Sequence, residues 1–153
     1  MSTKLVDVYP YRQMGDNITF LIFKRADDMI YAGQWRMIGG KVNPGEHRSI
    51  AALRELNEET GCKPHDFWVV PGVNQFYDHN TDTIHAIAAF AGRIDSSAKI
   101  RLNHEHQSYK WISASDAKKI INWPEQVRLI NIIHDILVYK HVLPEWQVAI
   151  SGN

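Results

Sequence analysis

Apolar and polar positions along the 153-residue chain change their period several times, and each change marks an element. Lys4 to Tyr11 alternates loosely around Leu5, Val6 and Val8, which predicts a first strand cut short by Pro10. Asp16-Asn17 signals a turn. Ile18 to Phe23 (ITFLIF) is a near-continuous apolar run and predicts a strand buried on both faces. Ala26 to Gln34 reads as a loop carrying Tyr31, and Trp35 to Ile38 as a short strand entering Gly39-Gly40. A helical period follows from about His47 to Thr60, where Ile50, Leu53 and Leu56 make an apolar stripe expected to dock on a sheet. Phe67 to Val73 and Gln75 to Tyr77 predict a strand pair or one bent strand. After the turn-rich Asp78 to Asp82, the alternating Thr83 to Ile94 predicts the second arm of a hairpin. Ser96 to Asn103 reads as a loop and Ser108 to Ile112 as a last strand. Serines near the start of Ser113 to Ile121 suggest a short helix. Pro124 suits a first helical position, and Val127, Ile130, Ile133 and Leu137 carry that helix to about Tyr139. The tail LPEWQVAISGN predicts nothing regular. Strands and helices in this order imply an α+β or α/β fold with helices on a mixed sheet.

Composition narrows the partners. Hydrophobic and charged fractions of 44% and 22% are those of a globular domain, and one domain of 1–153 accounts for the length. Formal net charge is zero, with no basic block, so extended nucleic acid is not an expected partner. The single cysteine, Cys62, excludes an internal disulfide and a cysteine-based zinc site. MSTKLVDVYPYRQMG lacks the apolar core of a signal peptide, and no run approaches transmembrane length. A cytoplasmic protein with no membrane partner is expected, and a homodimer is compatible with the sequence.

One stretch resists a purely structural explanation. Within GGKVNPGEHRSIAALRELNEETGC, Glu55, Glu58 and Glu59 share a helical arc of about 100°. Like charges at that spacing repel by roughly 0.2–0.5 kcal/mol per pair. Glu58 and Glu59 also sit in the last turn before Gly61, at the negative end of the helix dipole. Three carboxylates opposite the apolar stripe suit a hard divalent cation, which completes its shell with water and phosphates. The turn Gly39-Gly40-Lys41 can bring backbone atoms close to the same place. Glu46 and Arg54 are eight positions apart, about two turns, and are expected to brace the turn against the helix.

From Gly40 the segment reads G-x5-E-x7-R-E-L-x-E-E-x-G-C. At ~6% background per specified residue, its seven charged and glycine positions arise by chance on the order of 10⁻⁹ to 10⁻⁸ per start position. The segment resembles the Nudix box, G-x5-E-x7-R-E-U-x-E-E-x-G-U with U a bulky aliphatic. Gly40, Glu46, Arg54, Glu55, Leu56, Glu58, Glu59 and Gly61 match, and Cys62 departs at the last position. The resemblance implies an α/β/α sandwich, hydrolysis of a nucleoside diphosphate linked to another group, and Mg²⁺ or Mn²⁺ held by the box glutamates. Glu59 and Glu55 are the first expected ligands, Glu58 the next, and the Gly39 carbonyl adds an oxygen. Gly40, Glu46, Arg54 and Gly61 take structural roles.

A second segment, Glu105-His106-Gln107-Ser108-Tyr109-Lys110-Trp111, is similar to the E-H-x-x-Y-K-W segment of bacterial dihydroneopterin triphosphate diphosphatases, also described as dATP pyrophosphohydrolases. That resemblance implies that Glu105 reaches the metal cluster, and it makes Glu105 or Glu58 the general base, with Glu55 the other catalytic carboxylate. Ala26 to Gln34 departs from the R-D-D-x-x-x-W pattern of that group: Asp27-Asp28 is present, but extra residues separate it from Trp35. Lys41 and Arg25 are candidate phosphate ligands, with Lys24-Arg25 equally readable as a charged strand end. Trp35 and Tyr31 either stack on a base or are core and loop aromatics. His104 and His106 lack the spacing of a zinc motif and read as loop histidines or phosphate neighbours, while His79, His85, His134 and His141 carry no motif.

The activity expected is attack of water on a nucleoside triphosphate or dihydroneopterin triphosphate with release of pyrophosphate. A dinucleoside polyphosphate, nucleotide sugar or oxidised nucleotide is the alternative substrate. A nucleotide sensor without catalysis is disfavoured, because the box keeps all its glutamates.

Overall fold

The computed structural model describes residues 4–150; the first three residues of the N-terminal stretch and the last three of the tail lie outside the described residues. A seven-stranded mixed sheet carries helices on both faces, the α/β/α sandwich expected. The strands are β1 (Leu5–Met14), β2 (Asn17–Arg25), β3 (Trp35–Arg36), β4 (Ile38–Lys41), β5 (Asp66–Asp78), β6 (Thr83–Arg93) and β7 (His106–Ile112). The helices are α1 (Arg48–Thr60), α2 (Ala114–Ile120) and α3 (Pro124–Tyr139), followed by a 3₁₀ turn, Pro144–Trp146.

β1 and β2 pair antiparallel only between Tyr11–Met14 and Asn17–Phe20, then diverge. The segment after the long loop bridges the fork. β3 pairs with β2 at Phe23 and Lys24, and β4 pairs with β1 from Leu5 to Val8. This splay brings β1, β4 and the turn before α1 around one opening. β6 runs parallel to β1, and β5 closes that side as an antiparallel partner of β6.

Alternation along β1 divides the core. Val6 and Val8 join Leu21, Phe23, Ile38, Ala52 and Leu56 beneath α1. Tyr9 and Tyr11 join Phe20, Ile22, Trp68, Leu129 and Ile133 beneath α2 and α3. All of Phe20 to Phe23 is buried, as the ITFLIF run predicted.

Two expectations need correction, and the alternatives left open for β5 are decided. Pro10 does not end β1, which runs to Met14. Pro10 falls where the neighbour on one edge changes from β4, last partnered at Val8, to β2, first partnered at Tyr11. Its missing N–H therefore breaks no ladder on that edge. β5 is one bent strand, whose register shifts between Val69 and Val73 around Pro71-Gly72. The second correction concerns α1: Ile50 is 48% exposed, and the buried residues are Ala51, Ala52, Glu55, Leu56, Glu59 and Thr60. At about 100° per residue, Glu55 and Glu59 lie inside the buried arc rather than opposite it. α1 thus turns two carboxylates inward.

Candidate active site

A single guanidinium ties the turn to α1. Arg54 donates Nε–H to Glu46 Oε2 at 2.9 Å and Nη2–H to Glu46 Oε1 at 2.8 Å, a bidentate pair. It also reaches the Lys41 carbonyl at 3.0 Å and Glu55 Oε1 at 2.9 Å, with Glu58 at 3.4 Å. Arg54 first, and the Asn43 N–H second, hold the Glu46 carboxyl down to about 2. The expected brace is present, and it also offsets part of the repulsion among the box glutamates. Gly40 is required by the same packing: a Cβ there would overlap the Glu55 side chain. Gly61 ends the helix at φ 73°, its N–H bonded to the Asn57 carbonyl at 2.8 Å.

Glu55, Glu59 and Glu105 gather at the inner end of this assembly. Glu59 is 1% exposed, and neither of its buried oxygens has a hydrogen-bond donor. Burial first, and the nearby Glu105 second, push the Glu59 carboxyl far above the ordinary range. The Glu105 carboxyl is held low, with the neighbouring Glu59 first among the causes and Arg25 also lowering it. Burial also raises Glu55, against the lowering effect of Arg54. Glu105 is positioned from its backbone, its carbonyl accepting from the Ala26 N–H at 2.9 Å. Arg25 Nη1 stands 3.8 Å from Glu105 Oε2.

His106 departs from expectation. It begins β7, opposite Arg25 across a bulge in β2, and is not a loop residue. Its ring packs on Phe23 with centroids 4.9 Å apart, and Nδ1 lies 3.6 Å from Glu59 Oε1. Burial lowers the imidazole to about 4, so it is neutral. His104, in contrast, is exposed in a turn, as expected.

The carboxylates open onto a cleft of about 570 Å³. Gly39, Gly40, Lys41, Arg25, Tyr31, Glu55 and Glu105 line it, so most of the predicted site converges. Glu59 sits behind that lining, and Glu58 lies outside it, with its side chain 53% exposed beside Arg54. Trp35 is a core aromatic: its ring packs against the α3-side core and carries Lys110 Nζ at 4.3 Å, and it does not line the cleft. Tyr31 reaches the rim with φ 62°, a backbone region uncommon outside glycine. Arg36 is held between its ring and that of Trp123, at 4.3 and 4.6 Å.

The far wall contains residues that the sequence reading missed: Asp7, Arg36, Phe76 and Gln126 line it, with Asn74 behind. Asn74 Nδ2 donates to Asp7 Oδ2 at 2.7 Å, and Tyr9 and Gln126 approach the same oxygen at 3.5 Å. Gln126 Oε1 also accepts from the Met37 N–H at 3.1 Å, tying α3 to the floor. Burial raises the Asp7 carboxyl to about 6 despite these donors and Arg36. The available signal was a lone acid inside the apolar run Leu5-Val6-Asp7-Val8-Tyr9.

The residues fit a hard divalent cation. The donors are carboxylate oxygens, and both oxygens of Glu59 are buried without a donor in the protein. Among the described residues no group of three His, Cys, Asp or Glu side chains already stands at metal-holding distance. Mg²⁺ needs no such cage, since it uses one or two carboxylates with water and substrate phosphates.

Similarity to known proteins agrees with this geometry. The family model described as the NUDIX domain matches residues 1–131. Nucleoside triphosphatase NudI of Escherichia coli O1:K1 / APEC is 30% identical over 105 residues, covering 63% of this chain and 74% of that relative. The crystal structure of a C. elegans Ap4A hydrolase binary complex superposes with a TM-score of 0.71 at 24% identity, covering 88% of this chain and 98% of that one. The MutT protein from Methanosarcina mazei Go1 gives a TM-score of 0.70 at 27% identity, with 87% and 92% covered. With the box side chains gathered beside one cleft and the family model spanning residues 1–131, the chain belongs to the Nudix family and is a Nudix hydrolase.

Proposed function

We propose that this hydrolase is a Mg²⁺- or Mn²⁺-dependent pyrophosphohydrolase of a nucleoside-triphosphate-type substrate, releasing pyrophosphate and a monophosphate. One observation carries the reading: Glu55 and Glu105 line a cleft together with Arg25 and Lys41, and the buried Glu59 stands behind them. The relationship to a protein named as a nucleoside triphosphatase favours the same substrate class. Dihydroneopterin triphosphate shares that triphosphate and belongs to the class.

Glu59, Glu55 and Glu105 would hold the cation, with Glu58 and the Gly39 carbonyl at its margin. A bound divalent cation neutralises phosphate charge, polarises the phosphoryl oxygen and lowers the pKa of water. Arg25 and Lys41 orient the phosphate chain from the cleft wall. Of the two candidate bases, Glu105 lines the cleft while Glu58 faces Arg54, so Glu105 takes the proton of the attacking water. Its carboxyl is held low and works through placement more than basicity. Water oxygen forms the new bond to phosphorus as the α–β anhydride bond breaks, and pyrophosphate leaves with the bridging electron pair.

A substrate panel tests this. Nucleoside triphosphates, dihydroneopterin triphosphate, diadenosine polyphosphates and nucleotide sugars are incubated with Mg²⁺ and scored for pyrophosphate, phosphate and monophosphate. Pyrophosphate from a triphosphate at the highest kcat/KM is expected. Turnover confined to diadenosine polyphosphates or nucleotide sugars would contradict the substrate class.

A further inference from the structure

The inward-facing Glu59 raises a question of aim. A carboxylate on an α-helix rotates about three torsions, yet a cation ligand must be held in one geometry before the cation arrives. Arg54 performs this service for Glu55 and Glu46, but none of its donors reaches Glu59. A polar side chain does approach Glu59 from β7: His106. Both side chains are 1% exposed, Nδ1 and Oε1 stand 3.6 Å apart, just beyond hydrogen-bond reach, and neither atom has a hydrogen-bond partner. An unpaired buried polar group is unfavourable, so two of them in one apolar slot would be doubly so unless they serve each other. Phe23 packs on the imidazole and fixes the ring plane. The first residue of β7, directly after Glu105, therefore places its imidazole beside Glu59.

We infer that His106 is a positioning residue: its Nδ1–H donates to Glu59 Oε1 and holds that carboxylate aimed into the cation site. The inference rests on the reading of Glu59 as a cation ligand. Hydrogen-bonding partners behind metal ligands orient them, and losing one typically costs about 10–100-fold in metal affinity or activity. Here the imidazole stands behind the carboxylate, in contrast to the usual carboxylate behind a ligating histidine. With a single ring N–H, the role requires the Nδ1–H tautomer.

The test combines calorimetry with nitrogen NMR on the full-length protein. In the Mg²⁺-saturated, ¹⁵N-histidine-labelled protein, His106 should carry its proton on Nδ1; in Glu59→Leu, which removes the acceptor, it should move to Nε2. Mg²⁺ affinity should fall about 10–100-fold in His106→Leu, which keeps the apolar packing on Phe23. His106→Asn, whose amide N–H replaces the Nδ1 donor, should restore most of it. A wild-type Nε2–H tautomer, or wild-type Mg²⁺ affinity in His106→Leu, would overturn the positioning role. Equal losses in His106→Asn and His106→Leu would do the same, assigning His106 to packing alone. If His106→Leu fails to fold, the tautomer and His106→Asn still decide. Absence of any Mg²⁺ binding by the wild-type protein would instead overturn the cation site itself, and this role with it.

Discussion

At the scale of single residues, this fold buries carboxyls at two ends of one cleft. Asp7 is ringed by Asn74, Tyr9 and Gln126, yet burial still raises it to about 6. The folded state therefore binds a proton that the unfolded state releases near 4. Stability from this group is fully present below the unfolded value and declines as pH rises through about 6. Above that, the ionised Asp7 costs on the order of 3 kcal/mol. Asp7→Asn removes the charge while keeping an oxygen for Asn74. It should raise the thermal midpoint clearly more at pH 7.5 than at pH 4.5. An equal shift at both pH values would show that the charge is not the cause. Sequence could place Asp7 in a strand, but the partners that make it unusual lie 67 and 119 positions away.

At the scale of elements, α1 shows where pattern reading fails. The stripe Ile50, Leu53 and Leu56 was assigned to the sheet because carboxylates are expected to face water. In the structure Glu55 and Glu59 share the buried arc with Ala52 and Leu56, and Ile50 is left outside. The rule failed where the helix carries the chemistry, as local rules tend to at functional sites. Mutation separates the two readings. Ile50→Gln should change stability by no more than about 0.5 kcal/mol, whereas Leu56→Ala should cost about 2–5 kcal/mol. Denaturant midpoints measure both, and a large loss at Ile50 would restore the original stripe. β7 was misjudged for a similar reason. His104, Glu105 and Gln107 look like loop on either side of His106, whose place in the sheet depends on a bulge in β2.

At the scale of the whole molecule, the sandwich, the order of elements along the chain and the box side of the cleft were legible, because strand periods, turn residues and the box spacing are local. The far wall was not, because it forms only where β1 and β2 part and α3 supplies Gln126. The central claim is that α1 turns the buried Glu59 inward to hold a divalent cation for phosphoanhydride hydrolysis. Glu59→Gln tests it most directly, since glutamine keeps the shape and removes the charge. In metal-free buffer the variant should unfold at a temperature no lower than wild type, because glutamine removes a carboxyl whose charge burial opposes. With Mg²⁺ and the best triphosphate of the panel, its pyrophosphate release should fall by more than the roughly 100-fold that an outer partner is worth. Near-wild-type turnover in a folded Glu59→Gln protein would contradict the account.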